Sequence, residues 1–308
     1  MSKKQKTLIL GSNGLVGSAA KRIFSKNDKL EVFASSREET NLFDFDSTKQ
    51  LINRVEPDVL IIAAAKVGGI YANNTKRVEF LTENLKINLN VLESIIDFPN
   101  IKVINLGSSC IYPLNAPNPI KESSFMSGVL EPTNSPYAMA KLTAIELGRS
   151  ISKQYGHKII NLMPTNLYGP NDNFSEMDSH VIPSLIHKMH IAKIKKNKKF
   201  EIWGTGKPLR EFLFVDDLVL CIESLIEKDI VEDLINIGSS EEISIYDLAM
   251  LIKKIVGFEG ELAFDLEKPD GNPRKFLDSS IIRNYGWTPK TSLKEGLTLT
   301  YNWYCQNF

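Results

Sequence analysis

Short runs of branched apolar residues alternate with longer segments of mixed polarity through the first half of the chain. The runs lie at residues 7–10, 31–34, 59–65, 102–106 and 158–163. Strands covered on both faces of a parallel sheet are apolar throughout, and the segments between them are long enough for crossover helices. The pattern therefore predicts an α/β fold with a Rossmann-type, doubly wound parallel sheet.

Two of the intervening segments carry helix signals. Apolar side chains recur every three or four positions between residues 80 and 96, which predicts a helix that buries this stripe. Ser47 and Gln50 have the spacing of a capping box and predict a helix start. The members of the apolar stripe are Leu81, Leu85, Leu89, Leu92 and Ile96.

The second half of the chain has a different pattern. From about Asn166, loops, prolines and aromatic residues become frequent, and short strands are predicted at 200–203, 211–215, 234–237 and 261–266. A chain of 308 residues is long enough for two cores that share a cleft. We therefore expect a smaller α/β unit to follow the first.

Charge and composition exclude several classes of function. The 37 Lys and Arg residues balance 37 Asp and Glu residues, which argues against a nucleic-acid partner. The apolar run at 59–65 is too short to span a membrane, and the amino terminus has no apolar signal core, so we expect a cytoplasmic protein without a membrane partner. Cys110, Cys221 and Cys305 are odd in number and are expected to be thiols; no metal site is expected.

A glycine-rich turn follows the first predicted strand directly. In a strand–turn–helix unit, such glycines bring backbone N–H groups against a dinucleotide pyrophosphate at the helix N-terminus. An ordinary tight turn is the alternative interpretation, because the spacing alone is a weak signal. The residues predicted to contact the cofactor are Gly11, Ser12, Asn13, Gly14, Leu15, Val16 and Gly17.

The end of the second predicted strand bears on the choice of cofactor. An acidic residue there would hold the ribose 2′-hydroxyl of NAD, whereas a cation would pair with the 2′-phosphate of NADP. The chain has Ser35, Ser36 and Arg37 at this place, which favours NADP(H). Glu38 and Glu39 follow and leave NADH open as the alternative.

Ser108 follows the strand at 102–106, and Tyr137 precedes Lys141 by four residues. That spacing puts the phenol and the ammonium on one face of a helix, for which Ser135 is the predicted N-cap. An ammonium beside a phenol lowers the pKa of the phenol, and a Ser hydroxyl can bind the same substrate oxygen. A core Tyr beside a Lys whose chain packs on it is the alternative.

The glycine turn, Ser108, Tyr137 and Lys141 together resemble the extended short-chain dehydrogenase/reductase family. The resemblance implies hydride exchange at a carbon bearing oxygen, with Tyr137 as the proton donor, Ser108 orienting the substrate, and Lys141 tuning the phenol and binding the nicotinamide ribose. It also implies further cofactor contacts at Ala64, Leu106, Pro164, Asn166, Leu167 and His180.

More specific sequence motifs occur at 63–70, 73–75, 106–113, 130–134, 163–170, 179–183, 210–213 and 268–275. They resemble the GDP-L-fucose synthases within that family. This implies that a GDP-4-keto-6-deoxy sugar is epimerised at C3 and C5 and reduced by NADPH at C4, with Cys110 as the base and His180 as the acid. Taken without the family, Cys110 is a small buried side chain and His180 a loop histidine.

The same resemblance places the sugar nucleotide in the second half. Relatives often have Arg where this chain has Lys188. An ammonium group therefore replaces a guanidinium, which could bind a phosphate through two N–H groups at once. A dehydratase is disfavoured because the Asp-Glu pair that it needs after the catalytic hydroxyl residue is replaced here by Ser109 and Cys110. The predicted substrate contacts are Val181, Lys188, Trp203, Arg210, Asp270 and Lys275.

The resemblance also implies the domain organisation. Residues 1–165 would form an NADP-binding Rossmann domain, to which the chain returns at about 208–238, and residues 166–308 would form mainly the sugar-nucleotide-binding domain. The helix at 80–96 and the helix that follows Tyr137 would form the seam of a homodimer.

Alternative functions stay open at this point. One is C4 reduction without epimerisation, and another is the same chemistry on a GDP-4-keto-heptose in surface polysaccharide biosynthesis. A non-catalytic dinucleotide sensor is a hypothesis of another class. It is disfavoured because a sensor needs none of Ser108, Tyr137 and Lys141.

Overall fold

The structure is a computed structural model that describes residues 3–176, 178–267, 270 and 272–308. Lys268, Pro269 and Gly271, which belong to the motif at 268–275, lie outside the described residues. The strands are β1 (Gln5–Leu10), β2 (Leu30–Ser35), β3 (Val59–Ile62), β4 (Lys102–Leu106), β5 (Lys158–Pro164), β6 (Asn166–Tyr168), β7 (Lys199–Trp203), β8 (Leu209–Phe214), β9 (Leu234–Ile237), β10 (Glu242–Ser244), β11 (Glu261–Asp265) and β12 (Arg274–Lys275). The helices are α1 (Leu15–Phe24), α2 (Phe45–Val55), α3 (Ile70–Thr75), α4 (Arg77–Ser94), α5 (Ser135–Tyr155), α6 (Val181–Ile194), α7 (Val215–Ile226), α8 (Ile245–Val256), α9 (Ser280–Asn284) and α10 (Leu293–Asn307).

Six parallel strands form the main sheet in the order β2-β1-β3-β4-β5-β9. The α/β class with a parallel sheet, predicted from the apolar runs, is confirmed. β3 ends at Ile62, three residues before its predicted end. Beyond Ile62, the Ala63 N–H still donates to the Leu10 carbonyl at 3.1 Å, and the Ala64 backbone then passes close to Gly11 of the glycine turn.

Helices cover both faces of this sheet. On one face, Ile9 and Ile61 pack with residues of α1 and α7, among them Phe24 and Leu218. On the other face, strand residues such as Leu60 pack with α2, α4 and α5. Alternate residues of each strand thus enter different cores, which explains why apolar residues follow one another along the runs instead of occupying every second position.

Two helix predictions are wrong in detail. The N-cap of α2 is Asp44, whose carboxylate accepts the Ser47 N–H at 2.7 Å, so Ser47 and Gln50 do not form the predicted capping box. α4 buries a stripe that includes Asn84, because the Asn84 amide bonds the backbone of Lys66. The predicted apolar stripe lies partly outside, and Leu89 is 36% exposed.

The remaining strands form two smaller sheets. β8 is central in one of them, where it pairs with β10, β12 and β6, and β7 pairs with β11 in the other. The chain rejoins the main sheet through β9, and α7 packs on α1. The division into two functional domains stays a prediction.

Cys110, Cys221 and Cys305 are free thiols, as the sequence predicts. Among the helices of the described residues, none is both long and apolar enough to cross a bilayer.

Candidate active site

The glycine turn after β1 is shaped for a close approach to a ligand. Gly11 has φ +84°, and a Cβ atom there would lie 2.7 Å from the backbone of Ala64. A Cβ atom on Gly17 would collide with the Gly11 carbonyl. Gly14 is the N-cap of α1 and supplies no side-chain cap, so the first N–H groups of the helix stay available to an anion. These residues fit a dinucleotide pyrophosphate.

The end of β2 brings Arg37 to the surface near the turn. Its guanidinium carbon lies 5.0 Å from the ring centroid of Phe43. The Glu39 carboxylate is engaged differently, because it accepts the Ser36 N–H at 2.7 Å. Arg37 is thus an exposed cation, and the neighbouring Glu39 carboxylate is already hydrogen-bonded. This arrangement is compatible with binding of the 2′-phosphate of NADP.

Ser108 lies at the carboxyl end of β4, the edge at which open α/β sheets place their chemistry. Its hydroxyl accepts the Cys110 N–H at 3.2 Å and shares a side-chain hydrogen bond with Tyr137. The 3₁₀ turn Ser109–Ile111 that Ser108 caps fixes Cys110 beside it. The structure thus brings the predicted Ser, Cys and Tyr together.

Tyr137 and Lys141 lie one turn apart on α5. The N-cap of this helix is Asn134, one residue before the predicted position. The Lys141 ammonium donates to the Leu106 carbonyl at 2.7 Å and lies 5.9 Å from the ring centroid of Tyr137. Burial lowers the pKa of Lys141 to about 8.

The pKa of Tyr137 differs from the sequence-based expectation. Burial raises the pKa of Tyr137, the negative charge of Cys110 raises it further, and the hydrogen bond with Ser108 opposes both effects. The expectation of a lowered pKa was wrong for the free protein because the phenol is removed from water. The phenol therefore holds its proton at neutral pH, as a proton donor must.

Replacing Lys141 by Met is expected to make the free protein more stable at pH 7. Only 2% of Lys141 is exposed, so its charged form is disfavoured by desolvation. Between the folded pKa of about 8 and the unfolded value of 10.5, the unfolded parent binds more protons than the folded parent. The free energy of unfolding of the parent should therefore rise across this window, by up to about 3 kcal/mol for this group.

Urea unfolding of the parent and of Lys141→Met, measured without cofactor from pH 7 to pH 10.5, checks this expectation. The variant should be the more stable protein at pH 7, and its advantage should shrink as the pH rises. A difference that stays constant with pH would contradict the assigned cause.

Lys275 is the predicted substrate contact that the structure places in the catalytic cluster. Its ammonium lies 3.6 Å from the Cys110 Sγ, within hydrogen-bonding distance for sulfur. β12 carries Lys275 and pairs in parallel with β8, in a register that puts Lys275 beside Arg210. β12, which belongs to the sheet around β8, thereby reaches the turn that follows β4.

His180 occupies the N-cap position of α6 and is exposed. The segment before His180 is tied to the start of α3, because the Gly69 N–H donates to the Asp178 carbonyl at 2.9 Å. A Cβ atom on Gly68 would lie 3.1 Å from the Phe80 ring, and that ring packs edge-on against Tyr137 at 6.4 Å. Protein crowds the imidazole although solvent reaches it, and this desolvation lowers the pKa of His180.

Other predicted substrate contacts lie on the smaller sheets and on α6. Trp203 is 61% exposed, and the Lys188 ammonium lies 5.7 Å from the Trp203 ring centroid. Val181 is the first residue of α6. Arg210 donates to the Leu209 carbonyl at 2.8 Å; burial lowers the pKa of Arg210, an effect that Asp270 opposes.

Asp270 binds the loop that follows Trp203. Its carboxylate accepts the Thr205 N–H and the Thr205 hydroxyl, each at 2.7 Å, and these bonds lower the pKa of Asp270. A Cβ atom on Gly204 would collide with the same carboxylate. Asp270 is thus built to position the Trp203 loop. Sequence analysis did not identify Thr205, because a lone Thr in a loop carries no signal.

The remaining cofactor candidates line the ends of β4, β5 and β6. Leu106 and Pro164 end β4 and β5, and Leu167 lies in β6. The Asn166 amide donates to the Glu211 carbonyl at 2.8 Å. Sequence analysis overlooked Glu211, a fully buried carboxylate that accepts the Ser240 N–H at 2.7 Å and the Leu277 N–H at 3.2 Å. A carboxylate directly before the apolar residues 212–215 was the available signal.

Comparison with known proteins identifies the family of the chain. Residues 7–238 match the model of the NAD dependent epimerase/dehydratase family. The chain belongs to the NAD dependent epimerase/dehydratase family. Within this family, it is 45% identical to GDP-L-fucose synthase 1 of Arabidopsis thaliana over 99% of this chain and 94% of that protein.

Two solved structures of the family are also similar. A GDP-6-OMe-4-keto-L-xylo-heptose reductase from C. jejuni has a TM-score of 0.92 and 30% identity, covering 100% of this chain and 99% of that chain. A GDP-L-fucose synthetase from Naegleria fowleri bound to NADP has a TM-score of 0.90 and 29% identity, covering 100% of this chain and 96% of that chain. The predicted resemblance to the GDP-L-fucose synthases is confirmed.

Proposed function

We propose that the chain reduces C4 of a GDP-linked 4-keto-6-deoxy sugar with NADPH after epimerising the sugar at C3 and C5. The observation that carries this proposal is the placement of Cys110 beside Ser108 and Tyr137. A reductase needs the phenol and the hydroxyl but has no use for a thiol at that position. The similarity to GDP-L-fucose synthase 1 supports the same reaction.

The epimerisation uses Cys110 and His180. The 4-keto group acidifies the hydrogens at C3 and C5, so the Cys110 thiolate takes a proton from carbon and becomes a thiol. The electron pair moves onto the C4 oxygen as an enolate. The His180 imidazolium donates a proton to the opposite face of the carbon, which inverts it and leaves a neutral imidazole. Proton exchange with solvent then restores the thiolate and the imidazolium before the second carbon reacts.

The reduction uses Ser108, Tyr137 and Lys141. Bound NADPH supplies the hydride, and the glycine turn, Arg37, Ala64 and the ends of β4 to β6 hold the cofactor. Ser108 orients the C4 oxygen, and Tyr137 donates a proton to it. Lys141, whose ammonium donates to the Leu106 carbonyl, would bind the nicotinamide ribose.

The GDP portion of the substrate is assigned to the second half of the chain. Trp203 offers an exposed indole for the base or the sugar, and Lys188 and Arg210 supply cations for the diphosphate. Val181 borders this region at the start of α6, and Asp270 positions the Trp203 loop through Thr205.

Incubation with NADPH and GDP-4-keto-6-deoxy-mannose in D2O tests the proposal. Absorbance of the reduced nicotinamide should fall, and deuterium should appear at C3 and C5 of the product. Oxidation of NADPH without ring deuterium would leave a reductase only. Deuterium without oxidation would contradict the assigned reduction.

A GDP-4-keto-heptose is the second candidate substrate. The similarity to the GDP-6-OMe-4-keto-L-xylo-heptose reductase, at a TM-score of 0.92 and 30% identity, supports it. The same assay with the heptose as the competing substrate separates the two proposals by the ratio of kcat/KM values. A preference for the heptose would place the enzyme in surface polysaccharide biosynthesis.

Removing the Arg37 cation is expected to weaken NADPH use more than NADH use. Arg37→Met should raise the KM for NADPH about tenfold, because a charge-assisted contact to phosphate contributes roughly 1.5 kcal/mol. Initial rates with each cofactor check this expectation. Lys21→Met, a substitution in the last turn of α1, serves as a control for a general loss of positive charge. Equal losses with both cofactors would contradict the assignment.

The assembly and location are also proposed. α4 and α5 expose apolar side chains, among them Val78 at 69%, Leu89 and Met139, which suits a homodimer seam. The substrate would be a cytoplasmic nucleotide sugar. Residues 1–165 with the return at about 208–238 would bind NADP, and residues 166–308 mainly the sugar nucleotide. Sedimentation of the intact protein distinguishes the dimer from the monomer.

A further inference from the structure

We propose that Lys275 is a positioning residue for the Cys110 base, whose thiolate form it favours in the free enzyme. The contact that carries this inference is the 3.6 Å separation of the Lys275 Nζ and the Cys110 Sγ. The inference rests on the proposed function, because it assigns Cys110 to proton removal. It adds a second role to Lys275, which is also a predicted substrate contact.

The strand that carries Lys275 is held on both sides. Leu209 of β8 donates its N–H to the Pro273 carbonyl at 2.9 Å. Beyond Lys275, the Phe276 N–H donates to the Asn118 side chain at 2.8 Å, and the Phe276 carbonyl accepts the Ile120 N–H at 2.7 Å. These bonds join the smaller sheet to the loop that follows the Cys110 turn. The ammonium therefore reaches the sulfur from a fixed backbone.

Arg274, the cation next to Lys275 on β12, has a different partner. Successive side chains of a strand point to opposite faces. Arg274 donates from its Nε to the Glu242 carboxylate at 2.8 Å, whereas Lys275 turns to Cys110. Among the ion pairs of the part of the chain that the structure describes, none includes Lys275. The described contacts thus give its charge no carboxylate in competition with the thiol.

Other titratable groups face the thiol from α5. Tyr137 lies close enough for the charge of Cys110 to raise the pKa of the phenol. Lys141 is the second cation of the cluster, but its ammonium is bonded to the Leu106 carbonyl. Lys275 is therefore the cation in direct contact with the sulfur.

The chemical value of the contact follows from the reactivity of thiols. The thiolate is the basic form, and a free thiol is mostly protonated at neutral pH. An adjacent ammonium favours the thiolate by electrostatics. When Cys110 takes a proton from carbon, the ammonium keeps its own proton and its charge, so no further acid or base enters the step.

The test measures the pH dependence of Cys110 alkylation by iodoacetamide in the free enzyme. Cys305→Ala is the common background, because Cys305 is exposed, and mass spectrometry of the Cys110 peptide gives the rate. Lys275→Met should raise the midpoint of the rate profile by about one pH unit and slow alkylation at pH 7 about tenfold. Lys275→Arg should restore most of the shift.

Two controls keep the result interpretable. Arg274→Met removes a cation from the same strand without touching the sulfur, and its profile should match the parent. Lys275→Gln repeats the charge removal in a polar side chain if the Met variant does not fold. Unchanged midpoints in the Lys275 variants would overturn the proposal and leave Lys275 as a substrate contact.

The outcome is independent of the proposed function. Alkylation is measured without any nucleotide sugar, so it reports on the Lys275–Cys110 pair even if the protein exchanges no sugar protons. In turn, the Lys275 variants could show the expected shift of the alkylation midpoint while the parent takes up no deuterium from D2O. That result would contradict epimerisation and would still support the Lys275–Cys110 contact.

Discussion

Tyr137→Phe is expected to stop the reduction of the 4-keto sugar while proton exchange at C3 and C5 continues. The variant keeps the ring that packs against Phe80 but removes the proton that the C4 oxygen must receive. Loss of a positioned general acid costs about 10²–10⁴-fold in rate. NADPH oxidation and ring deuterium, followed in the same D2O sample, give the two rates separately.

The matched control is Tyr155→Phe on the same helix. Tyr155 is exposed and lies at the carboxyl end of α5, the opposite end from Tyr137. Its hydroxyl is therefore too far from the catalytic cluster to donate a proton to the substrate. This variant should reduce the sugar at the parental rate. If Tyr137→Phe left NADPH oxidation unchanged, Tyr137 would not be the proton donor.

Much of the first half was predictable because its signals are local. After their first residues, β4 and β5 are buried at every position and are apolar except at Asn105 and Asn161, as burial on both faces of a parallel sheet favours. The glycine turn was recognisable because Gly11 and Gly17 lie where a side chain would collide with backbone. In each case the sequence neighbours determine the geometry.

Tertiary contacts decided the features that sequence analysis missed. The buried face of α4 contains Asn84 instead of Leu89. The Asn84 amide forms hydrogen bonds with the N–H and the carbonyl of Lys66, which a leucine side chain cannot do. The partner of Lys275 is Cys110, 165 residues away along the chain, and periodicity does not encode such a contact. The raised pKa of Tyr137 likewise depends on burial by distant segments.

Cys110→Ala is expected to show the opposite pattern to Tyr137→Phe. Without the thiolate, deuterium uptake at C3 and C5 should fall about 10²–10⁴-fold, since proton removal from carbon loses its base. Hydride transfer to the C4 carbonyl does not require the sulfur, because Ser108 and Tyr137 share their hydrogen bond directly. The variant should therefore consume NADPH and yield a product that keeps the original configuration at both carbons, which proton NMR coupling constants identify.

Two comparisons decide how this result is understood. Cys305→Ala removes an exposed thiol on α10 and should behave as the parent in both assays. Cys110→Ser keeps the N–H that Ser108 accepts but offers a hydroxyl, whose pKa is far too high for a base at neutral pH, so it should lose exchange as the Ala variant does. Retention of deuterium uptake in both Cys110 variants would remove the thiol from the reaction and leave His180 to be tested as the base.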